Sequence, residues 1–218
     1  MVLKSRKHVF WEALFVTILV FAVGLFLGMM IETNNSNKIS QMYLKSEIGL
    51  VDGMAITILS EDFNYDCEVI KKNNIKFADR IYEEAIVLED YENAGILTDN
   101  LKFLHKKYDL LRTLLWMSNQ DSLQRCENYD LVVYLYEYDT EDNEKKATQN
   151  VWSKILYDLK VENPDILLLP IASDQNLTSL DFLAEQYVVE DYPALIVNNE
   201  YVLYDLESAS WIKENFLR

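Results

Sequence analysis

From Val9 to Ile31 the chain reads VFWEALFVTILVFAVGLFLGMMI, roughly 23 residues with Glu12 as the one charge, against the ~20 apolar residues that cross a bilayer as a helix. Lys4, Arg6 and Lys7 precede the stretch, together with His8, and Glu32 and the polar run Thr33–Asn37 follow it. The positive-inside rule therefore places residues 1–8 in the cytoplasm, residues 9–31 in the membrane and everything beyond about Glu32 outside. The apolar stretch exceeds the ~7–15 residues of a secretory h-region, and no small-x-small site follows it. Ala22-Val23-Gly24 has the right sizes but lies in mid-span. An uncleaved signal-anchor in a single-pass cell-membrane protein is the expectation. Gly24 and Gly28 form a GxxxG, the spacing that lets two spans approach closely.

In residues 32–126 the period changes. Ile39, Met42, Tyr43, Ile48, Val51, Met54 and Ile58 recur at helical spacing, as do Ile70, Phe77, Ile81, Ala85 and Leu88, and then Leu101, Leu104, Tyr108, Leu111 and Leu115. Matches at i+3, i+4 and i+7 predict amphipathic helices. Asn73-Asn74 is a weak spot in the second. The segment Glu61–Asp66 separates the first helix from the second, with Asp66 as N-cap. Asn93-Ala94-Gly95 ends the second, and Ser122–Asn128 ends the third. Cys67 then stands at the start of helix two and Cys126 at the end of helix three. Two antiparallel helices of ~37 and ~40 Å bring those ends together. Outside the cell such a pair persists as a disulfide, and a closed loop of ~60 residues stabilises by ~4 kcal/mol in the chain-entropy model. A structural disulfide is predicted.

The last segment, residues 127–218, alternates strand and helix. Leu131–Tyr138 is β-branched and aromatic. An acidic turn and a helix from about Glu144 to Val161 follow, stopped by Asn163-Pro164. Asp165–Ala172 reads as a second strand whose apolar run suits a central parallel position, while Pro170 points to an edge or bulge. A short helix from Ser179, the strand Ala194–Val197, an Asn198-Asn199 turn, the strand Tyr201–Tyr204 and a final helix complete the order β-α-β-α-β-β-α.

Composition narrows the function. The net charge is −16, and residues 127–218 hold 19 Asp and Glu against 6 Lys and Arg. Nucleic-acid binding, which needs clustered cations, is excluded; solubility, a salt-rich habitat or a basic partner accounts for the acid. His8 and His105 are far apart, with no second ligand type nearby, so neither a metal nor a cofactor is expected. Asn34-Asn35-Ser36 and Asn176-Leu177-Thr178 are sequons on the expected outer side, with Asn176 the better acceptor.

The element order and the segment Tyr187-Val188-Val189-Glu190-Asp191-Tyr192-Pro193-Ala194-Leu195-Ile196-Val197 resemble the thioredoxin-like superfamily, over roughly residues 127–218. In that family a cis proline precedes the third strand and faces the active site, a role the resemblance assigns to Pro193. The anchor, the helical pair with its two cysteines and the final domain together are similar to membrane-anchored thioredoxin-like proteins predicted in archaea. The family's CxxC lies between the first strand and first helix; here that place is Tyr138–Glu144, without cysteine or serine. Exchange needs a thiolate and a resolving partner, so no catalytic residue is expected there.

What the resemblance implies is a non-catalytic module that binds an extended protein chain beside the proline, with Tyr138, Asp139, Tyr192 and Pro193 lining the groove. Asp139, Glu141 and Asp142 favour a basic partner. The module would serve as a binding or structural subunit of a cell-surface or membrane assembly. An alternative is a thiol–disulfide oxidoreductase or redox-regulated chaperone using Cys67 and Cys126. A third is an oligomer assembled through Gly24, Gly28 and the first stalk helix.

Overall fold

Strand β1 (Leu131–Tyr136) alternates its side chains between two helical layers, and this alternation organises the C-terminal part of the molecule. The computed structural model describes residues 6–63, 66–93, 98–126 and 129–217. Lys4, the Ala94-Gly95 turn and Glu127 lie outside the described residues, as do the side chains of Asn34 and Ser36. The chain divides into two compact units, Met1–Met42 and Tyr43–Arg218.

The first unit is helical. Helix α1 (Arg6–Phe63) includes His8–Thr33, a stretch with mean hydropathy 2.7 that is long and apolar enough to cross a membrane. The hydroxyls of Thr17 and Thr33 donate to the carbonyls of Ala13 and Met29, one turn back, which satisfies them within the helix. The polar run Thr33–Asn37 does not end the helix, and the predicted first stalk helix is a continuation of α1. No glycine or proline lies between Gly28 and Gly49, and Asn, Ser and Thr each lower helix propensity by at most about 0.7 kcal/mol. A Cβ added at Gly24 or Gly28 would meet no atom within 4 Å.

In the second unit, α2 (Cys67–Asn93), α3 (Thr98–Ser118) and α4 (Gln120–Arg125) precede β1. Then follow α5 (Asn143–Glu162), β2 (Leu167–Ala172), a 3-10 turn (Ser173–Gln175), α6 (Thr178–Gln186), β3 (Ala194–Val197), β4 (Tyr201–Leu203) and α7 (Ala209–Phe216). The sheet order is β2-β1-β3-β4, with β1 parallel to β2 and antiparallel to β3, and β3 antiparallel to β4. On one face Val132, Tyr134, Leu195 and Val197 pack against Trp152, Leu156 and Leu159 of α5 and Ile212 of α7. On the other side α2 and α3 pack against β2, and α3 meets α6. β2 is therefore an edge strand rather than a central one. Its apolar run is buried because helices cover it, and Pro170 sits on it where a missing N–H is tolerated.

Cys67 and Cys126 form a disulfide with their Cα atoms 5.6 Å apart and a sequence separation of 59. Beside it lies a buried polar network. The amide of Asn74 donates to Asn119 Oδ1 and to the Tyr129 hydroxyl, which itself donates to Asn119 Oδ1 at 2.7 Å. Helix α2 thus passes through Asn73-Asn74 unbroken, since the buried amide has partners. The third predicted helix is interrupted at Asn119, which separates α3 from α4.

Helix α6 ends in a Schellman motif. Val189 N–H reaches the Ala184 carbonyl at 2.9 Å, Val188 N–H reaches that of Glu185 at 3.1 Å, and Val188 takes the left-handed position with φ 54°. Glycine is the usual residue there, and a left-handed L-residue costs roughly 1–2 kcal/mol. Val188 is also 69% exposed, so removing its side chain loses little burial. Val188→Gly is expected to stabilise the unit by about 1 kcal/mol, read as a higher denaturation midpoint at unchanged slope. A lower midpoint would show that the isopropyl group makes a contact that offsets the strain.

Candidate functional site

The C-terminal ends of parallel strands are where open α/β sheets form their crevices, and three segments converge beyond β1 and β2. They are the turn 137–142 after β1, the turn 173–176 after β2 and the approach to β3, 190–193. Asp142 caps α5, accepting the N–H groups of Glu144 at 2.8 Å and Lys145 at 3.3 Å. The cap turns the first helical residues toward the approach to β3. There the Lys145 ammonium donates to Glu137 Oε1 at 2.9 Å and Asp191 Oδ1 at 3.2 Å. One side chain therefore ties the end of β1 to the residues that precede the cis peptide Tyr192–Pro193.

Each partner is held in turn. Gln149 clamps Glu137 through both backbone groups, accepting from its N–H at 2.9 Å and donating to its carbonyl at 3.0 Å. Asp191 Oδ1 also accepts the N–H of Tyr192 at 2.8 Å. The hydrogen bond to Glu137 and the second one to Asp191 raise the Lys145 pKa above that of a free lysine. Asp191 is lowered, first by the Tyr192 N–H and then by Lys145. Partial burial raises the Tyr192 phenol, with the charges of Asp181 and Glu137 acting in the same direction. Held as an ammonium between two carboxylates, Lys145 is a positioning residue and a poor nucleophile.

The four groove residues predicted from sequence lie on these segments. Pro193 is buried and Tyr192 half-buried on the Lys145 side. Tyr138 and Asp139 lie on the other side of the β1–α5 turn, facing α3. The Tyr138 ring packs on His105, with centroids 5.0 Å apart. Asp139 donates its N–H to Asp174 Oδ2 at 2.7 Å, and its carboxylate takes Lys102 Nζ at 2.7 Å. Lys145, Glu137, Asp191, Lys102 and Asp174 carried no sequence signal, because their partners are remote along the chain. Asp191 beside Tyr192-Pro193 was the nearest hint.

Behind the turn, α3 buries an ion pair. Arg112 Nη1 donates to Asp109 Oδ1 at 3.0 Å, and the two side chains are 7% and 3% exposed. Burial pushes the Asp109 carboxyl up to about 6, against the pull of Arg112 and the Ala172 N–H. The Tyr136 phenol, at the end of β1, is raised by burial and by the Asp109 charge.

The disulfide stands at the far end of the sheet. Cys67 opens α2, whose Lys71 lies 4.0 Å from Asp165 ahead of β2, whereas Glu89, late in α2, influences Tyr136 at the end of β1. Helix α2 thus runs with β1 and β2, and its cysteine is at the start of the strands, away from the converging turns. Among the described residues no group of three or more His, Cys, Asp and Glu has a metal-binding arrangement. Comparison with protein-family models, with curated proteins and with solved structures finds no match.

Proposed function

We propose that the chain is a single-pass membrane protein whose C-terminal unit faces outward, has a thioredoxin-like fold and works as a non-catalytic protein-binding module. The fold reading is supported by the order β-α-β-α-β-β-α from β1 to α7 and by the cis peptide ahead of β3. The membrane reading rests on the apolar stretch His8–Thr33 and on the cations ahead of it. The observation that carries the functional reading is the Lys145 bridge. By joining Glu137 to Asp191, it sets the β1–α5 turn beside Tyr192–Pro193, the adjacency that an extended ligand would use.

The partner is a basic extended segment. Asp139 and Asp191 are largely exposed, with side chains 59% and 73% accessible, and Asp174, Asp181 and Glu190 are exposed around them. Carboxylates in this number steer a cationic chain and set its register, while backbone hydrogen bonds supply affinity. The module then serves as a binding subunit of a membrane-associated assembly.

The test is binding of fluorescent Lys-Val and Glu-Val repeat peptides to the full chain in nanodiscs. The basic peptide is expected to bind, to weaken with salt over the range in which surface charges are screened, and to lose about tenfold in affinity with Asp139→Lys, equivalent to ~1.4 kcal/mol. Equal affinity for the acidic peptide would end the proposal. Insulin reduction by the same sample, abolished in Cys67→Ser, would instead establish the oxidoreductase.

A further inference from the structure

The sequon Asn176-Leu177-Thr178 falls between the 3-10 turn and α6. Asn176 closes the turn in the left-handed conformation, φ 52° and ψ 56°, and Leu177 is extended, φ −100° and ψ 104°. An extended residue sends its neighbours' side chains to the side opposite its own. That alternation is seen here, since Leu177 is only 8% exposed while Asn176 and Thr178 are both exposed. The buried leucine anchors the triplet and presents the carboxamide and hydroxyl together to solvent. The Asn176 carbonyl accepts from Lys106 Nζ at 3.2 Å, a backbone contact that leaves the carboxamide unengaged by that bond.

The other sequon differs. Asn34 and Ser36 lie within helix α1, so that stretch must unwind to be read as an extended acceptor.

We infer that Asn176 is an N-glycan acceptor. This rests on the outward placement of the second unit proposed above. In the transfer, Nδ2 of Asn176 bonds to the anomeric carbon of a lipid-pyrophosphate-linked oligosaccharide. The bond from that carbon to the pyrophosphate oxygen breaks, the lipid pyrophosphate leaves with the electron pair, and the proton shed by Nδ2 passes to a basic group of the transferase. The glycan stands two residues from Asp174, whose carboxylate holds the Asp139 N–H, so it borders the candidate groove.

The experiment translates the full chain into microsomes and follows the mobility shift removed by an N-glycan amidase. Wild type and Asn34→Gln are expected to shift, and Asn176→Gln and Thr178→Ala to lose the shift. A second Asn-Leu-Thr triplet, placed by Asp205→Asn with Glu207→Thr in the Asn176→Gln background, reports the location of the unit independently. Modification of that triplet without modification of Asn176 in wild type overturns the acceptor assignment and leaves the outward placement standing. No modification of either one overturns both. A wild-type shift lost in Asn34→Gln assigns the glycan to α1 and rejects Asn176.

Discussion

Cys67→Ser is expected to destabilise the second unit by about 4 kcal/mol, because the loop released in the unfolded chain is long and the chain-entropy contribution grows with its logarithm. The 59-residue separation encloses α2, α3 and α4, of which α2 and α3 cover β2. Cys126→Ser should cost the same, and the double variant should cost no more than either single one, since all three remove the same bond. Denaturant unfolding of the full chain in micelles, with and without a thiol reductant, measures this. Reductant should bring wild type to the midpoint of the variants and leave the variants unmoved. A loss below about 1 kcal/mol would mean that packing and the Asn74–Asn119–Tyr129 network hold the helices without the bond.

Arg112→Met is expected to cost about 3–5 kcal/mol near pH 7, because it leaves the Asp109 carboxylate buried without its cation. Acid should relieve that cost, since a protonated Asp109 needs no counter-charge. The sign in wild type follows from the same group. Its folded value of about 6 lies above the ordinary 3.8, so the folded state binds the proton more tightly. The stability this contributes is complete below the unfolded value and is lost as pH rises through the folded one. Wild type should therefore gain stability on acidification from about pH 7 to about pH 5, by ~1 kcal/mol from this residue, with its full contribution of ~3 kcal/mol reached only below the unfolded value. Without Arg112 the folded value climbs further, so the Arg112→Met chain should respond to acid from a higher pH. The paired change Asp109→Asn with Arg112→Met should flatten that response. Thermal unfolding across this range checks the prediction, and an Arg112→Met profile parallel to wild type would show that the ion pair does not govern it.

How far the fold was legible depends on the reach of each signal. Apolar spacing along α2, the β-branched run of β1 and the Asn198-Asn199 turn are local patterns, and the corresponding elements are present within a residue or two of where the pattern places them, whereas α3 stops at Ser118, short of the predicted end at Ser122–Asn128. Both turn asparagines have positive φ, 54° and 59°, the conformation asparagine tolerates better than most residues. Local signals misled where burial overrode them. Asn74 looked like a weak spot and is a buried hydrogen-bonding residue. The apolar run Leu167–Ala172 suited a central position while Pro170 pointed to an edge or bulge, and the strand is an edge covered by helices. In each case tertiary surroundings supplied partners that composition could not reveal.

The candidate site divides in the same way. Tyr192-Pro193 and the acidic turn at Asp139 were visible in sequence because each is a short contiguous motif. The lysine that joins them was not, because Lys145 and Asp191 are 46 positions apart, and neither residue type in its own neighbourhood marks a contact. By itself the amino-acid order determined the apolar span, the run of helices and strands, and the sulfur-free turn, all consequences of periodicity and of which residues stand next to one another. Folding in three dimensions decided which charges meet, which polar groups are buried and which face of each strand is covered. These depend on distances between remote segments that local pattern does not encode.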